Sequence, residues 1–247
     1  MQQGIASTVD AAEVARFDAA AEAWWNPAGE ARWLHKYNPL RIDYIHRAGR
    51  RQFRRGIGHE GLSGLRILDI GCGAGVLCEP LARLGANVVG VEPGKSNILM
   101  ARRHALEAGL CIDYRCTTAE ALADAGEQFD IVLAMEVVEH VIDAHAFLHR
   151  CAHLVAAGGL MILSTINRTL KSFAYAIVMA EYVLGLLPRG AHQWRRFVTP
   201  PEAGAALEAR GLRLMDVSGV TLNLVTRDLQ LSRDTAVNYM LTAGRSG

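Results

Sequence analysis

The stretch Leu65-Arg-Ile-Leu-Asp-Ile-Gly-Cys-Gly-Ala-Gly75 constrains this chain more than any other. An apolar run carries a carboxylate, Asp69, near its end, and glycines follow at 71, 73 and 75. A helical pattern starts at Val76. Strand, glycine turn and helix in that order let a nucleotide-like ligand lie against bare backbone at the carboxyl edge of a parallel sheet. Side chains in the loop would block that approach, and tight turns often need the positive φ that glycine adopts freely. Alone, the loop is also what an ordinary glycine turn of an α/β protein looks like.

The next strand narrows the reading. Asn87-Val-Val-Gly-Val-Glu92 is a second apolar run ending in an acid, 21 positions after Gly71. An acid about 20 residues past such a loop meets ribose hydroxyls. A carboxylate there accepts hydrogen bonds from both vicinal hydroxyls. The alternative is a strand-end acid facing solvent. Two ligand classes fit the pair of motifs: dinucleotides and S-adenosylmethionine.

From Leu65 onward strands and helices alternate. Strands are expected at 65–70, 87–92, 111–116, 129–135 and 160–165, with helices at 76–84, 95–108, 119–124 and 143–156 between them. This βαβ alternation, with strands apolar throughout, predicts an α/β fold: a doubly wound, Rossmann-like sheet covered by helices on both faces. A helix at 199–210, capped by Thr199-Pro-Pro-Glu202, and strands at 212–218 and 236–242 complete seven strands, the last two read as a hairpin. Upstream, Asp10-Ala-Ala-Glu13 is a capping-box candidate opening a helix to about Ala23, and Asn38-Pro39 is expected to start a second helix to about Phe53. The chain reads as one domain, 1–247. Within it, 1–64 is a helical cover, 65–166 the ligand-binding core, 167–199 an insertion and 200–247 a closing helix and strands.

Composition bounds the partners. With 26 basic and 25 acidic residues the net charge is +1, so no nucleic-acid footprint is expected. Five cysteines without a Cys-x-x-Cys pair point to free thiols in a reducing compartment. Met1–Asp10 lacks a basic-then-apolar leader pattern, which favours the bacterial cytoplasm.

Longer motifs carry a resemblance. Leu68-Asp-Ile-Gly-Cys-Gly-Ala-Gly75, Glu92, Phe129-Asp-Ile-Val-Leu-Ala-Met-Glu-Val-Val-Glu-His140 and Leu154-Val-Ala-Ala-Gly-Gly-Leu-Met-Ile-Leu-Ser164 resemble the class I S-adenosylmethionine methyltransferases. Phe17, Trp24-Trp25, Gly29-Glu30, Leu34-His35, Asn38-Pro-Leu-Arg41 and Asp43-Tyr-Ile45 resemble the N-terminal signature of UbiG-type ubiquinone biosynthesis O-methyltransferases. So do Ser164-Thr-Ile-Asn-Arg168, Ala180-Glu-Tyr182, Val198-Thr-Pro-Pro-Glu202 and Val237-Asn-Tyr-Met-Leu241. Departures are Glu92, where Asp is usual, Ala74, often Gly, and a poor match over 219–234.

The resemblance implies S-adenosylmethionine as methyl donor. It implies the phenolic and catechol hydroxyls of polyprenylated ubiquinone precursors, 3-demethylubiquinol and 2-polyprenyl-6-hydroxyphenol, as acceptors. It also implies association with a ubiquinone-biosynthesis complex. Arg41 would reach the methionine carboxylate of the cofactor, since a guanidinium grips a carboxylate with two parallel bonds. Gly71 and Gly73 would offer backbone, Glu92 would bind the ribose, and Met135 would line the site. Asp69 would order the glycine loop by accepting backbone N–H bonds.

Glu136, Glu139 and His140 leave three readings open. They brace a loop and cap a helix, or His140 takes the acceptor's proton, or the three hold Mg²⁺ against a catechol's oxygens. His35 and His192 are weaker candidates, each read as surface or satisfied histidine.

Phe173–Leu187 is apolar on nearly every face, interrupted only by Glu181. Fifteen helical residues span roughly 22 Å, short of a bilayer core of ~30 Å. Arg168 and Lys171 precede it, and Arg189, Arg195 and Arg196 follow, interleaved with Trp194 and Phe197. The stretch 171–197 therefore suits a helix lying on a membrane surface, and equally a buried lid or dimer helix. Peripheral placement at the cytoplasmic side of the inner membrane is the expectation. Competing functions are methylation of another small molecule, a cofactor-binding protein without turnover, and an NAD-dependent oxidoreductase. The last usually needs Gly-x-Gly-x-x-Gly, which Val76 does not complete.

Overall fold

The structure is a computed structural model that describes residues 7–29, 31–53, 62–173, 194–222 and 228–247. Eight strands form one sheet: β1 (Arg66–Ile70), β2 (Asn87–Val91), β3 (Asp113–Arg115), β4 (Phe129–Met135), β5 (Val155–Ile166), β6 (Leu212–Leu222), β7 (Leu229–Ser232) and β8 (Asn238–Arg245). Their order is β3-β2-β1-β4-β5-β8-β6-β7. The first five are parallel, and the pairs β5–β8, β8–β6 and β6–β7 are antiparallel, so β8 and β7 run against the rest. The chain order reverses beside β1, which pairs with both β2 and β4. In such sheets the crevice at the carboxyl ends of those strands takes the ligand.

Alternation along the strands fills both faces. Leu68 and Val132 pack with Phe147, Leu148 and Leu207 on one side. Ile67, Ile131 and Leu133 pack with Ile45, Leu62 and Ile98 on the other. The first layer comes from α5 (Ala119–Asp124), α6 (Ala144–His153) and α8 (Pro200–Glu208), the second from α2 (Arg32–Gln52), α3 (Cys78–Arg83) and α4 (Lys95–Glu107). Thr199 and Glu202 form the expected capping box on α8.

Four local readings are corrected. The sheet has an eighth strand: β7 pairs with β6, and β8 lies between β5 and β6, so the late strands are neighbours but not a simple hairpin. β5 begins five residues before the expected strand, because Val155 already pairs with Phe129 ahead of a bulge at Gly158-Gly159. α2 starts at Arg32, and Pro39 lies inside it. An interior proline removes one ladder bond and costs ~3 kcal/mol; burial of Tyr44 and Ile45 and a bond from Asn38 Nδ2 to the Val76 carbonyl (2.9 Å) offset this. Finally, α1 (Ala11–Ala19) ends before a 3₁₀ turn at Ala21–Ala23; Asp10 caps it, but Glu13 does not complete a box. The apolar stretch expected to be helical at 172–187 lies outside the described residues from 174 onward; a short helix, α7 (Leu170–Ser172), is described just before it.

The N-terminal cover is bonded to the glycine loop and to the helix after β2. The α1 residue Asp18 accepts from the Ser96 and Asn97 amides (2.7 and 3.1 Å). It thereby caps α4, whose own cap position is Gly94, with no side chain to do so. Trp25 Nε1 donates to the Ala74 carbonyl at 2.9 Å, and its ring stacks flat on His104 at 3.4 Å.

Candidate functional site

The carboxyl ends of β1, β2 and β4 and the inner side of α1 and α2 enclose a cavity of about 240 Å³. Its floor is the glycine loop. Gly71, Gly73 and Gly75 all have positive φ. At Gly75 a Cβ would lie 2.2 Å from the Tyr114 hydroxyl, and at Gly71 one would lie 2.7 Å from Val137 Cγ2. The loop can therefore pass this close to β3 and β4 only as glycine. The amides of Gly71 and Cys72 donate to the Val91 carbonyl (2.8 and 3.1 Å), tying the loop to β2.

Eight of the nine residues singled out from the sequence line this one cavity: Arg41, Asp69, Gly71, Gly73, Glu92, Met135, Glu136 and His140. Glu92 directly follows β2, and its carboxylate accepts from the Gly94 and Gly73 amides. Burial raises its pKa against those bonds. Arg41 is 3% exposed. One terminal nitrogen lies 3.3 Å from Glu136 Oε1, its guanidinium covers the Tyr37 ring at 4.4 Å, and its buried Nε has no hydrogen-bond partner. A buried, under-bonded guanidinium on a cavity wall suits a ligand carboxylate. With a ribose-type acceptor at Glu92 and bare backbone between, the residues present fit S-adenosylmethionine.

Asp69 departs from its expected role. Its hydrogen bond comes from Cys78 Sγ at 3.2 Å, while the loop amides go to Val91. Burial pushes its carboxyl up to about 6. A carboxyl raised on folding binds its proton more tightly in the folded state, so its contribution is present below pH ~4 and lost as pH rises through 6. Asp69→Asn should remove that loss. The stability of the variant relative to wild type, from urea unfolding at pH 4 and pH 7.5, should rise by about 2 kcal/mol between the two. A difference independent of pH would contradict the assignment.

Glu136, Glu139 and His140 point to three separate partners. Glu136 Oε1 accepts from Ser164 Oγ (2.7 Å) and faces Arg41. Its φ of +58° is rare for a non-glycine residue and costs on the order of 1 kcal/mol or more. Glu139 does not line the cavity; it is buried behind it and accepts from Thr165 Oγ1 at 2.7 Å. Burial, with the Glu136 carboxylate nearby, pushes its pKa well up. His140 closes a 3₁₀ turn (Val138–His140), and its Nδ1 meets Glu13 Oε2 at 2.9 Å. Among the described residues no group of three or more His, Cys, Asp or Glu side chains is placed to hold a metal ion. The trio thus does not fit the expected Mg²⁺ set: the Glu136 and Glu139 carboxyl groups approach each other, but His140 turns to Glu13.

Some residues of the cavity were not among the site residues expected from the sequence. Thr8, Glu13 and Phe17 line the cavity from the cover. Thr8 bonds Glu120 through both its amide and its hydroxyl. Phe17 belongs to the N-terminal signature, and Glu13 to the expected capping box, which it does not serve. His35 is satisfied, with Nε2 2.7 Å from the Trp24 carbonyl oxygen. His192 lies outside the described residues. The basic flanks of the apolar stretch are partly engaged within the chain: Arg168 with Glu202, Lys171 with Asp234, Arg196 with Asp10. Phe197, one of the aromatics interleaved with those basic residues, is buried.

A family model described as "Methyltransferase domain" matches residues 17–217. A protein named "Ubiquinone biosynthesis O-methyltransferase" from Parvibaculum lavamentivorans strain DS-1 is 53% identical, covering 97% of this chain and 95% of that one. One of the same name from Bradyrhizobium sp. strain ORS 278 is 56% identical over 96% and 94%. Among solved structures, magnesium protoporphyrin IX methyltransferase from Synechocystis PCC 6803, with bound SAH, superposes with a TM-score of 0.61 at 20% identity, covering 93% of this chain and all of that one. That likeness bears on the fold.

Proposed function

The chain belongs to the methyltransferase-domain family and, within it, to the ubiquinone biosynthesis O-methyltransferases, and from that premise we propose which residues carry the reaction. The protein is an S-adenosylmethionine-dependent O-methyltransferase of ubiquinone biosynthesis. Its acceptors are the phenolic and catechol hydroxyls of polyprenylated precursors, 3-demethylubiquinol and 2-polyprenyl-6-hydroxyphenol. The observation that carries the site reading is the under-bonded guanidinium of Arg41 facing the loop whose far side holds Glu92.

When bound, the cofactor supplies a methyl group on a sulfonium, open to in-line attack by an acceptor oxygen. Arg41 holds its carboxylate and Glu92 its ribose hydroxyls. Gly71 and Gly73 give it backbone to lie against, and Met135 closes the wall at the end of β4. Asp69 sits beneath the loop as a buried carboxyl near its own titration point. His140 accepts the proton of the acceptor hydroxyl, a useful step because a phenol ionises only near pH ~10. Glu136 keeps Arg41 aimed into the cavity, and Glu139 buttresses the turn from behind. No step is routed through Mg²⁺, for which the donor set is not assembled.

Peripheral contact with the inner membrane's cytoplasmic surface is part of the same proposal. Leu170 (83% exposed) and Phe173 (43%) present apolar side chains at the start of the 171–197 stretch. Among the described residues no helix is long and apolar enough to cross a membrane. Vesicle flotation should weaken for Leu170→Asp/Phe173→Asp, and unchanged flotation of the folded variant would remove this part.

Expression in a bacterium lacking its own ubiquinone O-methyltransferase tests the function. Quinone extracts should regain ubiquinone and lose the demethylated intermediates. Persistence of both intermediates with the protein soluble and cofactor-bound would overturn the acceptor assignment.

A further inference from the structure

Two adjacent tryptophans meet two adjacent residues of the glycine loop. Trp25 bonds the Ala74 carbonyl, and Trp24 lines the cavity. A Cβ at Gly73 would lie 3.6, 3.6 and 3.7 Å from Cε2, Cζ2 and Cη2 of Trp24, so the indole rests on the bare Cα of Gly73 in ordinary contact. Its backbone carbonyl lies 2.7 Å from His35 Nε2, and Phe17 packs beside the ring at 6.2 Å between centroids. The indole is therefore held against the loop. Its Nε1 is buried and, among the described residues, has no hydrogen-bond partner. An indole N–H can only donate, so what this wall lacks is an acceptor, and a ligand can bring one.

Gly73 has a second neighbour in the cavity. Its amide donates to the Glu92 carboxylate, which also accepts from the Gly94 amide at 3.0 Å. Trp24 through its ring and Glu92 through its carboxylate thus both contact the same loop residue. A carboxylate offers about four acceptor positions. The two amides occupy half of them, and the rest suit the two vicinal hydroxyls of a ribose. Each hydroxyl that donates to Glu92 keeps lone pairs of its own, and a buried oxygen needs a donor for them. An ionised carboxylate cannot supply it. The N–H of Trp24 can.

We propose that Trp24 is a cofactor-selecting residue: its Nε1–H donates to a ribose hydroxyl of S-adenosylmethionine while that hydroxyl donates to Glu92. The inference rests on the reading of Glu92 as the ribose acceptor. Donor and acceptor then read one hydroxyl from two directions. A ligand lacking that hydroxyl leaves the indole N–H and one carboxylate position unpaired in a buried site, and such a loss discriminates more sharply than a missing apolar contact. S-adenosylhomocysteine, the product, carries the same ribose and is held in the same way.

The test is calorimetry of S-adenosylhomocysteine and its 2′-deoxy, 3′-deoxy and decarboxylated analogues on wild type, Trp24→Phe and Glu92→Gln. Phenylalanine keeps an aromatic wall against Gly73 and deletes the N–H. Trp24→Phe should bind S-adenosylhomocysteine and the decarboxylated analogue about 10-fold more weakly than wild type does, the size of one buried hydrogen bond. It should bind one of the two deoxy analogues within about two-fold of wild type, since the partner of the N–H is already gone. If Trp24→Phe loses about 10-fold for both deoxy analogues, Nε1 does not meet the ribose and the inference is overturned. It is equally overturned if the loss vanishes with the decarboxylated analogue instead, which would place Nε1 at the methionine carboxylate. Unchanged affinity of Trp24→Phe for S-adenosylhomocysteine, with Glu92→Gln weakened, overturns the inference and leaves the ribose reading of Glu92 standing. Wild-type affinity in Glu92→Gln removes both. Should Trp24→Phe not fold, wild type answers by itself in proton NMR. One of its four indole N–H signals should move downfield with S-adenosylhomocysteine and stay in place with one deoxy analogue. The same shift with both deoxy analogues, or no shift with S-adenosylhomocysteine, overturns the inference.

Discussion

Gly75→Ala should destabilise the protein by about 3 kcal/mol and abolish cofactor binding at ordinary concentrations. Gly75 sits at φ +87°, where an L side chain is strained by roughly 1–2 kcal/mol. Its new Cβ would also fall 2.2 Å from the Tyr114 hydroxyl and 2.8 Å from Cζ. Tyr114 cannot easily yield, because it is buried and its ring already abuts Gly90, where a Cβ would lie 2.7 Å away. The side chain is wedged between two glycines, one in the loop and one in β2. Thermal unfolding should fall by about 10 °C for a chain of this length. Tyr114→Phe in the same background should restore part of that, since it removes the nearest oxygen but neither Cζ nor the backbone strain. Full restoration would mean that φ is not a constraint at this position.

Arg41→Met should leave the fold intact and weaken S-adenosylmethionine binding about 100-fold. The estimate corresponds to losing a charge-assisted, two-bond grip of roughly 2–3 kcal/mol. Methionine fills similar space beside Tyr37, and Glu136, 29% exposed, can turn to water. The variant should bind a decarboxylated analogue of the cofactor as wild type does, because only the carboxylate contact is gone. Calorimetry with both ligands on both proteins gives the four numbers. Equal losses for the two ligands would place Arg41 in the scaffold and not at the carboxylate.

The parts of this site that were legible in the sequence are those written by local pattern. A strand ending at Ile70, three glycines and an acid at 92 fix the floor, since strand, turn and helix each leave a short-range signature. Arg41 is different: it stands on a helix whose start was misplaced, and only resemblance marked it. Glu139 shows where local reasoning stops. Four residues past a strand end, in a 3₁₀ turn instead of a regular helix, side-chain direction depends on the backbone's exact bend, and the bend at Glu136 (φ +58°) sends Glu139 inward to Thr165. The Glu13–His140 contact is a purely tertiary fact, made by α1 folding back over the sheet edge. β7 escaped notice because its apolar–polar alternation, Leu-Gln-Leu-Ser, runs for only four residues on a sheet edge.

Transfer of labelled methyl from S-adenosylmethionine to a short-chain 3-demethylubiquinol, measured with the purified chain, tests the central claim most directly. Labelled product bearing a new O–CH₃ should accumulate in wild type and fall sharply in Arg41→Met at sub-saturating cofactor. Cofactor binding without any methylated quinol, from protein that is folded and supplied with reduced acceptor, would contradict it.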